Sequence, residues 1–315
     1  MRKVQPIAAY LSLLNLIGPA SAWNGTGHRA VAFIAYSNLT AKARERVNKM
    51  LEMHPDIDLL VEDASDDPVE RARHIFVTAA TWPDKIKSDD RFFEDGSAPD
   101  DVDVLAGFPD MDRHRNWHFI DNAFSPDGVN LTSFTPVPPT ALSQINAFRK
   151  QIGNSRTDAA VQVFQLPWLL HLIGDVHQPL HCTTRVLKTQ IDRRTHLPTG
   201  DRGGNKVVVR GSGNLHSFWD DCLGRSETDE FVAKLATFIM DSNPKPATLD
   251  LDTQQWIDES FKIGKAVVYD FGPGGTKDAP AVLSDAYKLN AKKIARDRVA
   301  QAGYRLAAVL NELLN

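Results

Sequence analysis

Histidine and aspartate recur along this chain at spacings that suit metal ligation. The densest stretch is His171-Leu-Ile-Gly-Asp175-Val-His177-Gln-Pro-Leu-His181. On a helix, residues i and i+4 project from one face, so His171 and Asp175 present a nitrogen and a carboxylate side by side. Pro179 cannot continue that helix, so the chain turns and His181 can approach from another direction. A second i, i+4 pair follows at His216 and Asp220 in Asn214-Leu-His-Ser-Phe-Trp-Asp-Asp221. Nitrogen and carboxylate donors together suit zinc, which accepts either and has no redox chemistry. One such pair is more often an ordinary hydrogen-bonded pair, whereas two with His181 between them point to metal. Further donors lie upstream: Asp84 in Thr81-Trp-Pro-Asp84, His118 in Asn116-Trp-His-Phe-Ile-Asp121, and His28 in Trp23-Asn-Gly-Thr-Gly-His28.

Helices must position most of these donors. Ala30, Val31, Ile34 and Ala35 predict a first helix, and Thr40 an N-cap for a second running towards Leu51. Residues 140–152 and 157–178 carry further helical patterns, and Ala302, Leu306, Val309 and Leu313 form one apolar face near the C-terminus. Strand signals are few. Val207-Val208-Val209, between Gly203-Gly204 and Gly211-Ser212-Gly213, predicts a short strand or hairpin arm. Residues 88–115 and 185–204 read as long polar loops. No internal repeat or low-complexity linker divides the chain, so the expectation is an all-α protein: a single mainly helical domain with a short β-hairpin.

The N-terminus has a basic start (Arg2, Lys3), an apolar run from Ile7 to Ile17, and Ala20-Ser21-Ala22. That pattern predicts a signal peptide over residues 1–22, cleavage before Trp23, one domain over 23–315, and a secreted or periplasmic location. The apolar run is too short to span a bilayer, and no later segment has about 20 uninterrupted apolar residues. With a net charge of -4 over 315 residues, the chain has no broad basic face for duplex nucleic acid. Positive charge for phosphate must then be concentrated, and bound metal would do that. Cleavage would also free the Trp23 α-amino group. With a pKa near ~7.7–8 it can deprotonate onto a metal, with the Trp23 carbonyl and His28 as further donors. Asn24, Asn38 and Asn130 begin N-glycosylation sequons. A monomer is the default expectation.

Trp23 with Gly27-His28, Trp82-Pro-Asp84, Trp117-His-Phe-Ile-Asp121, the His171–His181 stretch, Gly203-Gly-Asn-Lys206 and Asn214-Leu-His-x2-Trp-Asp220 occur in one order. Together they resemble the trinuclear-zinc, single-strand-preferring nucleases of fungi, plants and bacteria, relatives of zinc-dependent phospholipase C. The resemblance spans nearly the whole chain beyond residue 22, down to Ala302-Gly-Tyr-Arg-Leu306. It implies that residues 23–315 form a zinc-dependent nuclease domain with a phospholipase C/nuclease-like helical fold and three Zn²⁺ ions. Asp84, His118, His171 and Asp175 would hold the first. His181, His216 and Asp220 would hold the second, and the Trp23 amine and carbonyl, His28 and Asp175 the third. It further implies cleavage of single-stranded DNA and RNA to 5′-phosphorylated products, with 3′-nucleotidase activity alongside. Lys87 would bind the developing phosphorane, and Asp121 would orient the attacking water and pair with Lys87. Phe119 would stack a base and Asn205 read its edge. His54, His74, His114, His177 and His196 fall outside the pattern and read as surface or supporting residues.

The chain departs from the family in two places. The stretches from Asp84 to His118 and from Arg185 to Arg202 are longer than expected, so base preference and the choice between RNA and DNA do not carry over. Cys182 follows His181 and Cys222 follows Asp220 by two; if those ligands share a zinc, a disulfide could brace the site. Two rivals stand beside the nuclease reading. A zinc-dependent phospholipase C would need aromatic or acidic groups for a quaternary ammonium. A non-catalytic zinc-stabilised binding protein would need closed metal shells.

Overall fold

The computed structural model describes residues 23–99, 101–102, 104, 106–192 and 194–315; the signal-peptide reading lies outside them. Helices dominate: α1 (Gly25–Ser37), α2 (Ala41–Glu52), the single-turn α3 (Ile57–Leu60), α4 (Pro68–Ala79), the single-turn α5 (Trp82–Lys85), α6 (Ala141–Gln151), α7 (Ala159–Asp175), α8 (Leu215–Asp220), α9 (Asp229–Ser242), α10 (Thr253–Ile263) and α11 (Asp285–Leu314). Side-chain oxygens cap the starts of all but the single-turn α3 and α5, satisfying N–H groups that lack an intrahelical partner. Thr40 accepts from Ala43 N–H, Asp158 from Ala160 N–H and Asn214 from Ser217 N–H. Thr140 and Ser143 close a reciprocal capping box at α6.

α7 is buried from Val163 to Asp175 and crosses the interior, with α1, α2, α5, α6 and α11 packed around it. Its apolar residues lie all round, as a central helix requires. α1 lies against α11, and Gly303 allows the approach: a Cβ there would sit 2.5 Å from Ile34 Cγ2 and 3.0 Å from the Val31 carbonyl. Trp82, Phe92, Phe108, Phe164 and Trp168 form an aromatic cluster in edge and stacked contacts beneath α5 and α7. Phe92, Phe108 and Met111 are buried in the core, so they pin the 88–115 segment to it. Among the described residues that segment has no helix or strand between Ser88 and Arg115, as expected.

The 185–204 segment differs from expectation. It is a hairpin of β2 (Thr184–Ile191) and β3 (Pro198–Gly200), antiparallel, with β1 (Ala123–Phe124) parallel to β2 on the other side. Only Thr184 and Val186 turn buried side chains inward, and the outer half is largely exposed, so the alternation that marks a strand is too weak to read. The expected glycine-flanked hairpin is present: β4 (Val208–Val209) pairs antiparallel with β5 (Gly213–Asn214). No helix among the described residues is long and apolar enough to cross a membrane.

Candidate metal centre and active site

Asp175 ends α7 at the centre of the site. Its Oδ1 lies 3.3 Å from His28 Nε2 of α1, and its Oδ2 lies 3.1 Å from His118 Nδ1 and 3.2 Å from His171 Nε2. Asp84, on α5, places Oδ1 3.7 Å from His171 Nε2 and 3.9 Å from His118 Nδ1. His118 ends a 3₁₀ turn, Arg115–His118. A further turn, Pro179–His181, carries His181 to within 3.1 Å of His216, measured between Nε2 atoms. Asp220 Oδ2, one turn along α8, is 3.6 Å from His216 Nε2. Three donor groups result: His28, His171 and Asp175; Asp84, His118 and His171; and His181, His216 and Asp220, with the ligand atoms in each group within 4.8 Å of one another.

Hydrogen bonds behind the rings fix which nitrogen faces inward. His171 Nδ1 donates to the Ala80 carbonyl at 2.8 Å, His181 Nδ1 to the His118 carbonyl at 2.6 Å, and His216 Nδ1 to the Gly203 carbonyl at 2.6 Å. Each ring then turns its Nε2 into the site. Burial lowers the pKa of His181 and, helped by His181, that of His216 to about 3, which disfavours an added proton between the two Nε2 atoms. Two lone pairs aimed at each other in a buried site repel unless a cation lies between them. Both ring nitrogens of His28 and Asp175 Oδ1 also lack hydrogen-bond partners although buried, which would cost about 1–3 kcal/mol per group if left so. These atoms fit a bound metal.

Charge in the site follows the same logic. Burial, then His171, lowers His28 to about 4, and burial with Lys87 lowers His118 to about 3. For His171, burial is outweighed by Asp175 and Asp84, which raise it. Burial opposes ionisation of Asp84 and Asp175, but Lys87 and His171 hold Asp84 down, and His171 and His181 hold Asp175 down. Asp220 is pushed well up by burial, although Gln178 opposes this; Gln178 Nε2 donates to Asp220 Oδ1 at 2.7 Å. A dication there would supply the missing counter-charge.

Above the donors lies a cleft of about 360 Å³ with His118, His181 and His216 on its wall, and with Lys87, Phe119, Asp121, Arg202 and Asn205 around it. Lys87 does not pair with Asp121. Its Nζ donates to Asp84 Oδ1 at 2.6 Å, because α5 runs on into a 3₁₀ turn and places residues i and i+3 on one face. Asp121 stands at the wall, where burial and the Asp201 carboxylate push its pKa up to about 6. Asn205 Nδ2 donates to the Arg202 carbonyl at 2.8 Å. Arg202, Gly203 and Gly204 all have left-handed φ, at 56°, 58° and 79°. A Cβ on Gly203 would lie 2.4 Å from the Leu180 carbonyl, so glycine there lets the loop carry its carbonyl to His216.

Trp23 is fully buried. A Cβ on Gly27 would lie 2.6 Å from Trp23 Cβ, and one on Gly174 would lie 2.9 Å from His28 Nδ1, so both glycines make room beside the site. Asn24 N–H reaches the Asp220 carbonyl at 3.4 Å. Of a disulfide or two thiols, the structure has the thiols: Cys182 and Cys222 are free and buried. Their Sγ atoms donate separately to the Val176 and Phe218 carbonyls, each at 3.4 Å. Of the histidines outside the ligand pattern, only His196 is exposed. His54, His74, His114 and His177 are buried, the last donating from Nδ1 to the Ile173 carbonyl at 2.7 Å and accepting at Nε2 from Arg305. Gln178 and Arg202 were not found by sequence reasoning; the Gln between His177 and Pro179 was the available signal for the first.

A helical scaffold that gathers buried histidine and aspartate donors under an open cleft defines a hydrolytic, metal-site enzyme. The chain belongs to the S1/P1 nuclease family, whose pattern it matches over residues 23–315. It is similar to endonuclease 4 of Arabidopsis thaliana, with 26% identity covering 99% of this chain and 95% of that protein. It is also similar to nuclease S1 of Aspergillus oryzae, with 24% identity covering 99% and 98%. The protein is therefore a nuclease.

Proposed function

We propose that the protein is an exported, zinc-dependent endonuclease that cuts single-stranded DNA and RNA to 5′-phosphorylated products and also removes 3′-phosphates from nucleotides. The observation that carries this reading is the convergence of buried histidine nitrogens on Asp175 and on the space between His181 and His216. The nuclease relatives add support, because a nuclease acts on phosphate esters and the cleft above those donors is open to receive one.

Asp84, His118, His171 and Asp175 would hold one zinc, and His181, His216 and Asp220 a second. His28 and Asp175 would hold a third with the Trp23 amine and carbonyl, once cleavage before Trp23 frees that amine. Bound zinc supplies Lewis acidity to the phosphate and lowers the pKa of water from 15.7 towards ~7. Asp175 turns Oδ1 towards His28 and Oδ2 towards His118 and His171, so one carboxylate could serve both the first and the third ion. Lys87, held against Asp84, directs its ammonium to the cleft where phosphoryl oxygens gain charge. Asp121 accepts a hydrogen bond from the attacking water and aligns it. Phe119 stacks a base and Asn205 uses its free carbonyl oxygen on the base edge. An unstacked base enters such a cleft without the cost of unpairing, which favours single strands.

The test is metal content and activity on one processed sample before and after chelation. Near three zincs per chain, with single-stranded DNA and RNA cut to 5′-phosphorylated products and activity lost with the metal, supports the reading. Zinc-free protein that still cuts would overturn it.

A further inference from the structure

Beside the metal cleft lies a second groove of about 350 Å³, nearly equal to the cleft's own 360 Å³. Arg202 and Asp121 border both, so the two hollows share one wall. The groove is floored by the β2–β3 hairpin and closed by the 3₁₀ turn Thr132–Phe134. Phe134 and Pro136 offer it apolar surface, and both are only half-buried.

Charge distinguishes this region in an acidic protein. Over residues 184–206 the described cations are Arg185, Lys188, Arg194, Arg202 and Lys206, against Asp192 and Asp201. The groove's own lining sets Arg202 and Lys206 beside Asp121 and Asp192, and Arg185 lies 3.5 Å from Asp201; the two acids of the segment are held by local hydrogen bonds. Asp192 accepts from Arg194 N–H and from Thr195 N–H and Oγ1. Asp201 is buried, accepting from Arg185 N–H, Gly204 N–H and the Tyr269 hydroxyl. Arg202 is exposed at the junction of the two hollows. Lys206 Nζ holds the Thr199 hydroxyl and the Gly200 carbonyl at 3.2 and 3.0 Å, which leaves a third N–H for a ligand.

We propose that this groove is a second nucleotide subsite, taking the base and phosphate of the nucleotide next to the one being cut. The proposal rests on the single-strand nuclease reading above. Arg202 and Lys206 hold the neighbouring phosphate, and the Phe134 ring stacks the neighbouring base. An aromatic face beside cations is the combination that tracks a flexible single strand. The enzyme therefore favours oligomers over the smallest diesters.

The experiment compares zinc-loaded wild type with Arg202→Gln/Lys206→Gln, Arg202→Lys/Lys206→Arg and Phe134→Ala. Substrates are thymidine oligomers of increasing length and bis(p-nitrophenyl) phosphate, over a range of salt. In wild type, kcat/KM should rise from dimer to longer oligomers. The Gln pair should flatten that rise. Its affinity should also fall less steeply with salt, the log–log slope dropping by about 0.7 for each phosphate it no longer neutralises. The charge-keeping pair should retain the wild-type slope. Phe134→Ala should lose about 10-fold in kcat/KM for longer oligomers relative to the dimer. An unchanged length preference and salt slope in the Gln pair overturn the subsite while leaving the nuclease reading intact. Wild type that hydrolyses the small diester but no oligomer overturns the nuclease reading. Binding of a phosphorothioate thymidine oligomer by the same variants, followed by fluorescence anisotropy, then decides the subsite alone: equal affinity and slope in all of them rejects it.

Discussion

Nε2 of His181 faces Nε2 of His216 across 3.1 Å, and the opposite nitrogen of each ring donates to a backbone carbonyl. The two side chains are fixed from behind, with their lone pairs aimed at a common point. The rigidity of the pair comes from backbone groups of two other segments, at His118 and Gly203.

Replacing His216 by Ala should remove one metal from the chain, because His181 and Asp220 alone give an incomplete shell. Metal analysis should show about one zinc fewer per chain, and kcat/KM on single-stranded DNA should fall by about 100-fold or more. Retention of the full metal complement would contradict the assignment.

Gln178→Leu leaves the donor set intact but takes away the 2.7 Å hydrogen bond to Asp220. Partners of this kind typically contribute 10- to 100-fold in metal affinity. A zinc titration against a competing chelator should show a loss of about that size at one site, with the other two unmoved.

Gly203→Ala should be far more harmful than Gly211→Ala. Both positions have left-handed φ, at 58° and 81°, so both carry the backbone strain, of order 1 kcal/mol. Only at Gly203 does a Cβ meet a carbonyl, at 2.4 Å, whereas at Gly211 nothing lies within 4 Å. Thermal denaturation should show a modest loss for Gly211→Ala and a clearly larger one for Gly203→Ala, and activity should collapse for Gly203→Ala alone.

An extra residue placed ahead of Trp23 in the processed protein converts its amine to an amide. The expected result is loss of one zinc and most activity. Full activity and metal content with the extension would exclude the N-terminal ligand.

Acid stability should depend on Glu259. Burial opposes its charge, but hydrogen bonds from Arg305 and Arg298 win and lower its pKa from 4.5 to about 2. A depressed folded-state pKa adds stability that is fully present above the unfolded value and is lost as pH falls through the folded one. In metal-stripped protein, the Tm gap between wild type and Glu259→Gln should be constant above pH 5 and shrink between about 4.5 and about 2. A gap independent of pH would show that the pair acts through packing instead.

The sequence by itself determined much of this protein, because local physics is written in local spacing. Thr40 and Thr140 marked helix starts through side chains that cap their own helices. The i, i+4 spacing of His171 with Asp175 and of His216 with Asp220 put each pair on one face, and the glycines around Val207–Val209 marked a hairpin. Only the tertiary structure decided how those faces meet. That Asp175 reaches His28, His118 and His171 together depends on α1 lying against α7, a contact between segments more than a hundred residues apart. Lys87 went to Asp84 instead of Asp121 because one continuous turn outweighs an alignment of motifs. Cys182 and Cys222 are separate thiols, donating to the Val176 and Phe218 carbonyls, a pairing state that their spacing did not reveal. The β2–β3 hairpin was illegible because its outer half is exposed on both faces, so no alternation of burial was impressed on its residues.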